Sequence, residues 1–213
     1  MFKKTIFFLF FLSSISVAWA DSTDDFFKAV KKSDTAQVKQ LLNKQPRLVL
    51  ERDDKNMTGF LWAVSKKNLE LVSFLAEKGA RLTARGEKGN AFHIAAENQD
   101  EPMLKLLMKL ISAKNAQAPA DMLNYGRDIY SATSYTSSDG NTPLHIASKK
   151  CNTRIYNYFV NHGAQEDIPN HLLKTPAAIL SDCQKNKELQ AQQALLRAQR
   201  EGEEALRPKD DGI

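Results

Sequence analysis

Apolar residues along this chain fall into short blocks separated by polar turns, and the blocks recur. After Thr58 come Phe60, Leu61, Trp62 and Ala63; after Asn90 come Phe92, Ile94 and Ala95. After Thr142 come Leu144, Ile146 and Ala147, and after Thr175 come Ala177, Ala178, Ile179 and Leu180. These openings lie 32, 52 and 33 residues apart, so the middle interval is one period plus about 19. A second set of blocks follows each opening. Leu71-Val72, Phe74-Leu75 and Gly79-Ala80 follow Ala63 at the same offsets at which Ile155-Tyr156, Tyr158-Phe159 and Gly163-Ala164 follow Ala147. The spacing within each block is helical and predicts two short helices per unit.

The signals at the block ends agree. Thr142 suits a helix N-cap, and Pro143 suits the first helical position, where its missing N–H has no partner to lose. A turn near Cys151-Asn152 leads into a second helix, Ile155–Asn161, and Gly163 suits the left-handed residue that ends it. Asp139-Gly140 supplies the turn before the next cycle. One such unit cannot bury its apolar face alone, but a stack of them can.

The run Thr142-Pro143-Leu144-His145-Ile146-Ala147, its variant Asn90-Ala91-Phe92-His93-Ile94-Ala95, and the matching offsets in successive copies resemble the ankyrin repeat family. The resemblance covers about Asp24 to Leu196. It implies an all-α solenoid of about five helix-turn-helix units, at 22–54, 55–87, 88–138, 139–170 and 171–206, with residues 207–213 a disordered tail. It also implies a structural role for His93 and His145, which would hydrogen-bond backbone between neighbouring units. The first unit places Phe26, Phe27, Val30, Val38, Leu41 and Leu42 inward and Lys28, Lys31, Lys32 and Lys39 outward. The last places Leu189, Leu195 and Leu196 among Gln, Glu, Arg and Lys. Both patterns suit terminal units that need one wet face.

The third unit breaks the period. Its second helix, Pro102–Ile111, arrives on schedule, but the next unit starts late, which puts an insertion within 112–138. Ala116–Tyr125 suits a short helix, with Pro119 near its start and Gly126 behind it. Arg127–Ser138 is rich in Ser, Thr and Tyr, and Tyr125, Tyr130 and Tyr135 are spaced five apart. Long loops in compact domains carry function or lack order, and tyrosine offers large contact area at low entropic cost. Two readings stay open: a partner-binding finger, or a tolerated insertion whose tyrosines pack on the adjacent unit. The acidic stretch Glu51–Asp54 and the basic Arg81, Arg85 and Lys88 fall in neighbouring turns. They form either a surface for a charged partner or a solvated rim.

Composition changes the picture mainly at the N-terminus. Met1-Phe2-Lys3-Lys4, an apolar run from Ile6 to Val17, and Ala18-Trp19-Ala20 make a secretory signal cleaved after Ala20. The uncharged stretch is short for a bilayer span, so no membrane insertion is expected after cleavage. The Phe-rich signal and its Ala-x-Ala site point to a bacterial periplasm, or more generally to secretion. The chain has 213 residues, 42% of them apolar, and a formal net charge of +5. Without Lys3 and Lys4 there remain 28 basic against 25 acidic residues, too balanced a mixture to indicate nucleic acid.

Residue chemistry does not suggest an enzyme. His162 precedes a helix terminator and His171 lies in a turn. No His or Cys pair has metal-ligand spacing, no Gly-rich phosphate loop or nucleophile elbow occurs, and Asp121, Asp128 and Asp139 are scattered. No catalytic residue, cofactor or metal is expected. Cys151 and Cys183 lie 32 residues apart, nearly one period. An even count in an oxidising compartment suggests a bridge. Packed helices lie about 8–10 Å apart, wider than the roughly 4.4–6.8 Å that a disulfide allows between Cα atoms, although both residues sit at helix ends, where the chain can lean.

The expectation is a non-enzymatic module that binds another protein through its concave face and the insertion, with Tyr125, Arg127, Tyr130, Tyr135, Arg85 and Lys88 as binding residues. An inhibitor or immunity protein that occludes a toxin is one role. A helper of an envelope or oxidative-stress enzyme, a role that some exported bacterial ankyrin proteins resemble, is another. A purely structural element of an envelope assembly is a third.

Overall fold

The computed structural model describes residues 22–126 and 139–205; the signal segment 1–20, residues 127–138 and the 207–213 tail lie outside the described residues. Helix α1 spans residues 22–31. It is followed by α2 (Thr35–Lys44), a 3-10 turn (Pro46–Leu50), α3 (Gly59–Ser65), α4 (Leu69–Glu77) and a two-residue hairpin, β1 (Arg85–Gly86) with β2 (Gly89–Asn90). Then come α5 (Ala91–Glu97), α6 (Glu101–Lys114), α7 (Ala118–Leu123), α8 (Pro143–Lys149), α9 (Thr153–Val160) and α10 (Pro176–Ala205). The result is a mostly helical stack of paired helices with fingers between the pairs.

The turn inside each pair is the same in four copies. Ser33, Lys67, Gln99 and Cys151 all have positive φ, between 50° and 59°. In the second unit Lys67 N–H donates to the Val64 carbonyl and Asn68 N–H to the Ala63 carbonyl, which closes the last turn of the first helix. The next residue in each copy, Asp34, Asn68, Asp100 or Asn152, caps the second helix by accepting from the backbone N–H three residues on.

First helices are buried nearly all round. Every residue from Ala91 to Ala96 and from Leu144 to Ser148 is buried. The small residues let neighbouring helices approach closely. An added Cβ on Gly59 would come within 2.6 Å of the fully buried Phe26 ring, so α1 and α3 meet where the second unit lacks a side chain. The apolar core is continuous from Phe26 to Ala164.

Histidine ties one unit to the next. His145 Nδ1 accepts the Thr142 backbone N–H at 3.1 Å, and its Nε2 lies 3.0 Å from the Lys174 carbonyl oxygen. A carbonyl only accepts, so the ring is neutral with its proton on Nε2. His93 repeats this, with Asn90 N–H at 3.3 Å and the Asn141 carbonyl at 3.0 Å. The second bond spans the insertion, so the stack closes over it as though the period were unbroken.

Two expectations need correction. The fifth unit is not a helix-turn-helix. It is one 30-residue helix, α10. Gln184 and Lys185 stand where the other copies place the left-handed residue and its Asx cap, so nothing ends the first helix. Leu189, Leu195 and Leu196 accordingly do not pack; they are 53–62% exposed. In the third unit α6 runs to Lys114, three residues beyond Ile111, and the insertion's helix is Ala118–Leu123, shorter than Ala116–Tyr125.

Two outcomes follow from this construction. Residues 184–203 are all exposed, so a chain ending at Lys187 should unfold with a stability within about 0.5 kcal/mol of the full chain in urea. Burial lowers the His145 pKa from 6.5; the Lys174 carbonyl opposes this, Lys149 adds to it and Asp139 opposes it. The unfolded chain therefore binds more protons than the folded chain below about pH 6.5, and stability falls as pH drops through that value. His145→Gln should flatten the part of the urea-midpoint slope between about pH 7 and pH 5 that belongs to this ring.

Candidate functional site

The fingers and the exposed edges of the first helices form one face. Trp62 lies on it, at the position where α5, α8 and α10 carry Ile94, Ile146 and Ile179. The indole is half-buried. Two ammonium groups flank it, Lys31 at 4.7 Å and Lys88 at 5.1 Å from the ring centroid, and such contacts favour a cation over an indole face. Its Nε1 donates to Asp53 Oδ2 at 2.7 Å.

Asp53 is the anchor of this group. Oδ2 also meets Lys31 Nζ at 3.1 Å, and Oδ1 accepts the Lys55 and Met57 N–H groups at 3.1 and 2.9 Å. Its side chain is only 6% exposed. Burial pushes the Asp53 carboxyl up. Hydrogen bonds from Trp62, Met57 and Lys31, with the Lys31 charge, outweigh burial and hold it below its ordinary value. The carboxylate is thus ionised and already occupied by donors, a fixing group for the indole.

Lys88 reaches from the hairpin to Ser65 Oγ at 3.2 Å. Beyond it lies a cavity of about 230 Å³ lined by Ser65, Lys88, Ile94, Glu97, Asn98 and Ile146. Arg52 Nη1 donates to the Arg85 carbonyl at 2.6 Å and to the Asn56 carbonyl at 2.7 Å, which locks two fingers together. The Arg85 guanidinium stacks on Tyr125, 3.1 Å from the ring centroid.

The first part of the insertion is fastened on both sides. Asn90 Nδ2 donates to the Met122 carbonyl at 2.8 Å, and Leu123 is fully buried. Asn124 Nδ2 donates to the Gly163 carbonyl, and its Oδ1 accepts Gln165 N–H, both at 2.7 Å. Tyr125 therefore emerges from a fixed base beside the hairpin.

Of the residues singled out in the sequence, Arg85, Lys88 and Tyr125 fall on this face. Arg127, Tyr130 and Tyr135 lie outside the described residues. Thr142, Pro143, Leu144, His145 and His93 are buried inside the stack. Trp62, Asp53 and Lys31 were missed as a group. The signal was available: tryptophan stands at a register position where the three later copies have isoleucine. Among the described residues no group of three His, Cys, Asp or Glu is placed to hold a metal ion.

Cys151 and Cys183 are disulfide-bonded, with Cα atoms 5.8 Å apart. Cys151 stands at the left-handed turn after α8, φ 50°, and Cys183 lies in the first part of α10. The bridge closes a loop of 32 residues. In the chain-entropy relation such a loop contributes about 3–4 kcal/mol. Cys183→Ser should lower stability by about that amount in chemical denaturation, and reductant should lower the unsubstituted protein to the same level.

Comparison with known proteins agrees with this architecture. Residues 26–120 match the family described as ankyrin repeats (three copies), and residues 139–171 match a further ankyrin repeat. The chain is similar to Protein PhlB of Serratia liquefaciens, 34% identical over 138 residues, 57% of this chain and 60% of that protein. It therefore spans less than two thirds of that relative's length. With its repeated caps, its His relays and these matches, the chain belongs to the ankyrin repeat family.

Proposed function

We propose that this protein is exported to the bacterial periplasm, where it binds another protein across the face of Trp62, Lys88 and the Arg85–Tyr125 stack and catalyses no reaction. Ankyrin repeats indicate a protein-interaction module. The observation that carries the reading is the half-buried indole held by Asp53 between two cations. It is an aromatic group fixed among charged side chains, which is the composition of an interface hot spot. The disulfide supports an oxidising compartment, as does the N-terminal Lys-Lys, apolar run and Ala-x-Ala sequence.

The pre-ordered anchor favours an occluding role, that of an inhibitor or immunity protein. A helper of an envelope or stress enzyme can bind through a polar face alone.

The mature protein should begin at Asp21 when isolated from the periplasmic fraction and sequenced from its N-terminus. With the co-purified partner in calorimetry, Trp62→Ala should weaken binding at least about tenfold, and Lys88→Glu should weaken it without shifting the melting temperature. Full binding by both variants, or a chain retained in the cytoplasm, would overturn the reading.

A further inference from the structure

The finger before α10 is built like the finger before α3. Asn170 N–H donates to the Lys174 carbonyl at 3.0 Å and Leu173 N–H to the Asn170 carbonyl at 2.9 Å. Asn170 Oδ1 accepts the Leu172 and Lys174 N–H groups at 3.0 and 3.1 Å. In the earlier finger Asp53 N–H donates to the Met57 carbonyl at 3.0 Å and Asn56 N–H to the Asp53 carbonyl at 2.9 Å. Asp53 Oδ1 accepts the Lys55 and Met57 N–H groups. The four bonds share one register. The tips are Lys55-Asn56 in one and Leu172-Leu173 in the other.

The leucine tip is costly twice over. Leu172 is 71% exposed and Leu173 85%, so neither apolar side chain is covered by its own chain. Leu173 also holds φ at 57°, the position taken by Asn56 at 57° and by Gly140 at 62° in two other fingers. Asn and Gly enter this left-handed region readily, and Leu does not. The same turn closes with Lys-Asn, so folding does not require the pair. Strain held at an exposed apolar position, with no return to the fold, points to recognition.

We propose that Leu172-Leu173 is an anchor that enters an apolar pocket on the protein partner. This rests on the binding reading above and names the chemistry of one contact. The tip continues the row of fingers. Asn170 Nδ2 donates to Asn141 Oδ1 at 2.8 Å, and His171 N–H donates to the Asp139 carbonyl at 3.1 Å. The anchor is therefore ordered before it binds, which lowers the entropic cost of inserting it. A lipid surface fits less well. Lys174 is drawn to Asp182 at 3.7 Å, and even an acyl chain needs a second signal, such as a basic cluster, for stable attachment.

The test uses the full-length protein in its own host, with a benzophenone amino acid replacing Leu172 or, separately, Glu87 on the hairpin tip. Both probes should give the same heavier adduct on illumination. In an L172K/L173N background, which copies the earlier finger, the Glu87 adduct should fall at least tenfold. The melting temperature of that variant should rise by about 2–4 °C, which shows that the loss is not unfolding. An adduct at Glu87 but none at Leu172, or one that survives L172K/L173N, overturns the anchor and leaves the binding reading standing. A Leu172 adduct to lipid or to a second copy of this chain also overturns it. No adduct at either position overturns the binding reading and the anchor with it.

Discussion

Two buried imidazoles tie the third unit to the fourth and the fourth to the fifth. In each, Nδ1 receives the N–H of the residue that caps the same helix, and Nε2 donates to a carbonyl in the next finger. Each ring satisfies one backbone donor and one backbone acceptor that burial would otherwise leave unpaired, a loss of about 1–3 kcal/mol per group. The geometry requires a neutral ring with a fixed tautomer. It also fixes the distance between consecutive units, because the accepting carbonyls belong to Asn141 and Lys174. The insertion is tolerated for this reason. His93 reaches Asn141 whatever length of chain lies between, and loop closure becomes only slowly more costly with length.

The relay ends where the sequence drops the histidine. Ala178 stands in the last unit at the register position of His93 and His145. No ring is available there to draw a further unit onto the stack, and Lys185 stands where an Asx residue would have turned the chain. The helix continues straight into solvent. The covalent bond between Cys151 and Cys183 joins α10 to the fourth unit at this same end. The bridge thus adds a covalent tie at the interface that His145 also spans through the Lys174 carbonyl.

Much of this was legible in the sequence because repeats test one another. Thr142 and Asn90 announce caps, His145 and His93 sit three residues on, and Asn152, Asn68 and Asp100 mark second helices. The missing second helix in the last unit was legible too, in Lys185, but apolar Leu189, Leu195 and Leu196 drew the reading toward a packed cap. Composition cannot show that a helix has nothing to pack against. The site was less legible. Arg85, Lys88 and Tyr125 were found as charged and aromatic residues in turns. Their meeting depends on Asn90 binding the Met122 carbonyl and Asn124 binding Gly163, contacts between segments tens of residues apart. Asp53 read as one of several rim acids. Only the folded chain brings it beneath Trp62 and Lys31.

The bonds that stabilise the core also shape the recognition surface. Lys174 is at once the acceptor for His145 and the closing residue of the leucine finger. Asn141 accepts from His93 through its backbone and from Asn170 through its side chain. The finger tips are therefore spaced by buried hydrogen bonds, while their side chains remain free to vary. That separation explains how Lys55-Asn56 and Leu172-Leu173 can occupy one turn with one hydrogen-bond pattern. It also means that a partner meets a row of tips whose backbone order has been secured by folding, so that affinity depends on what the tips and the Trp62 group present rather than on the cost of ordering them.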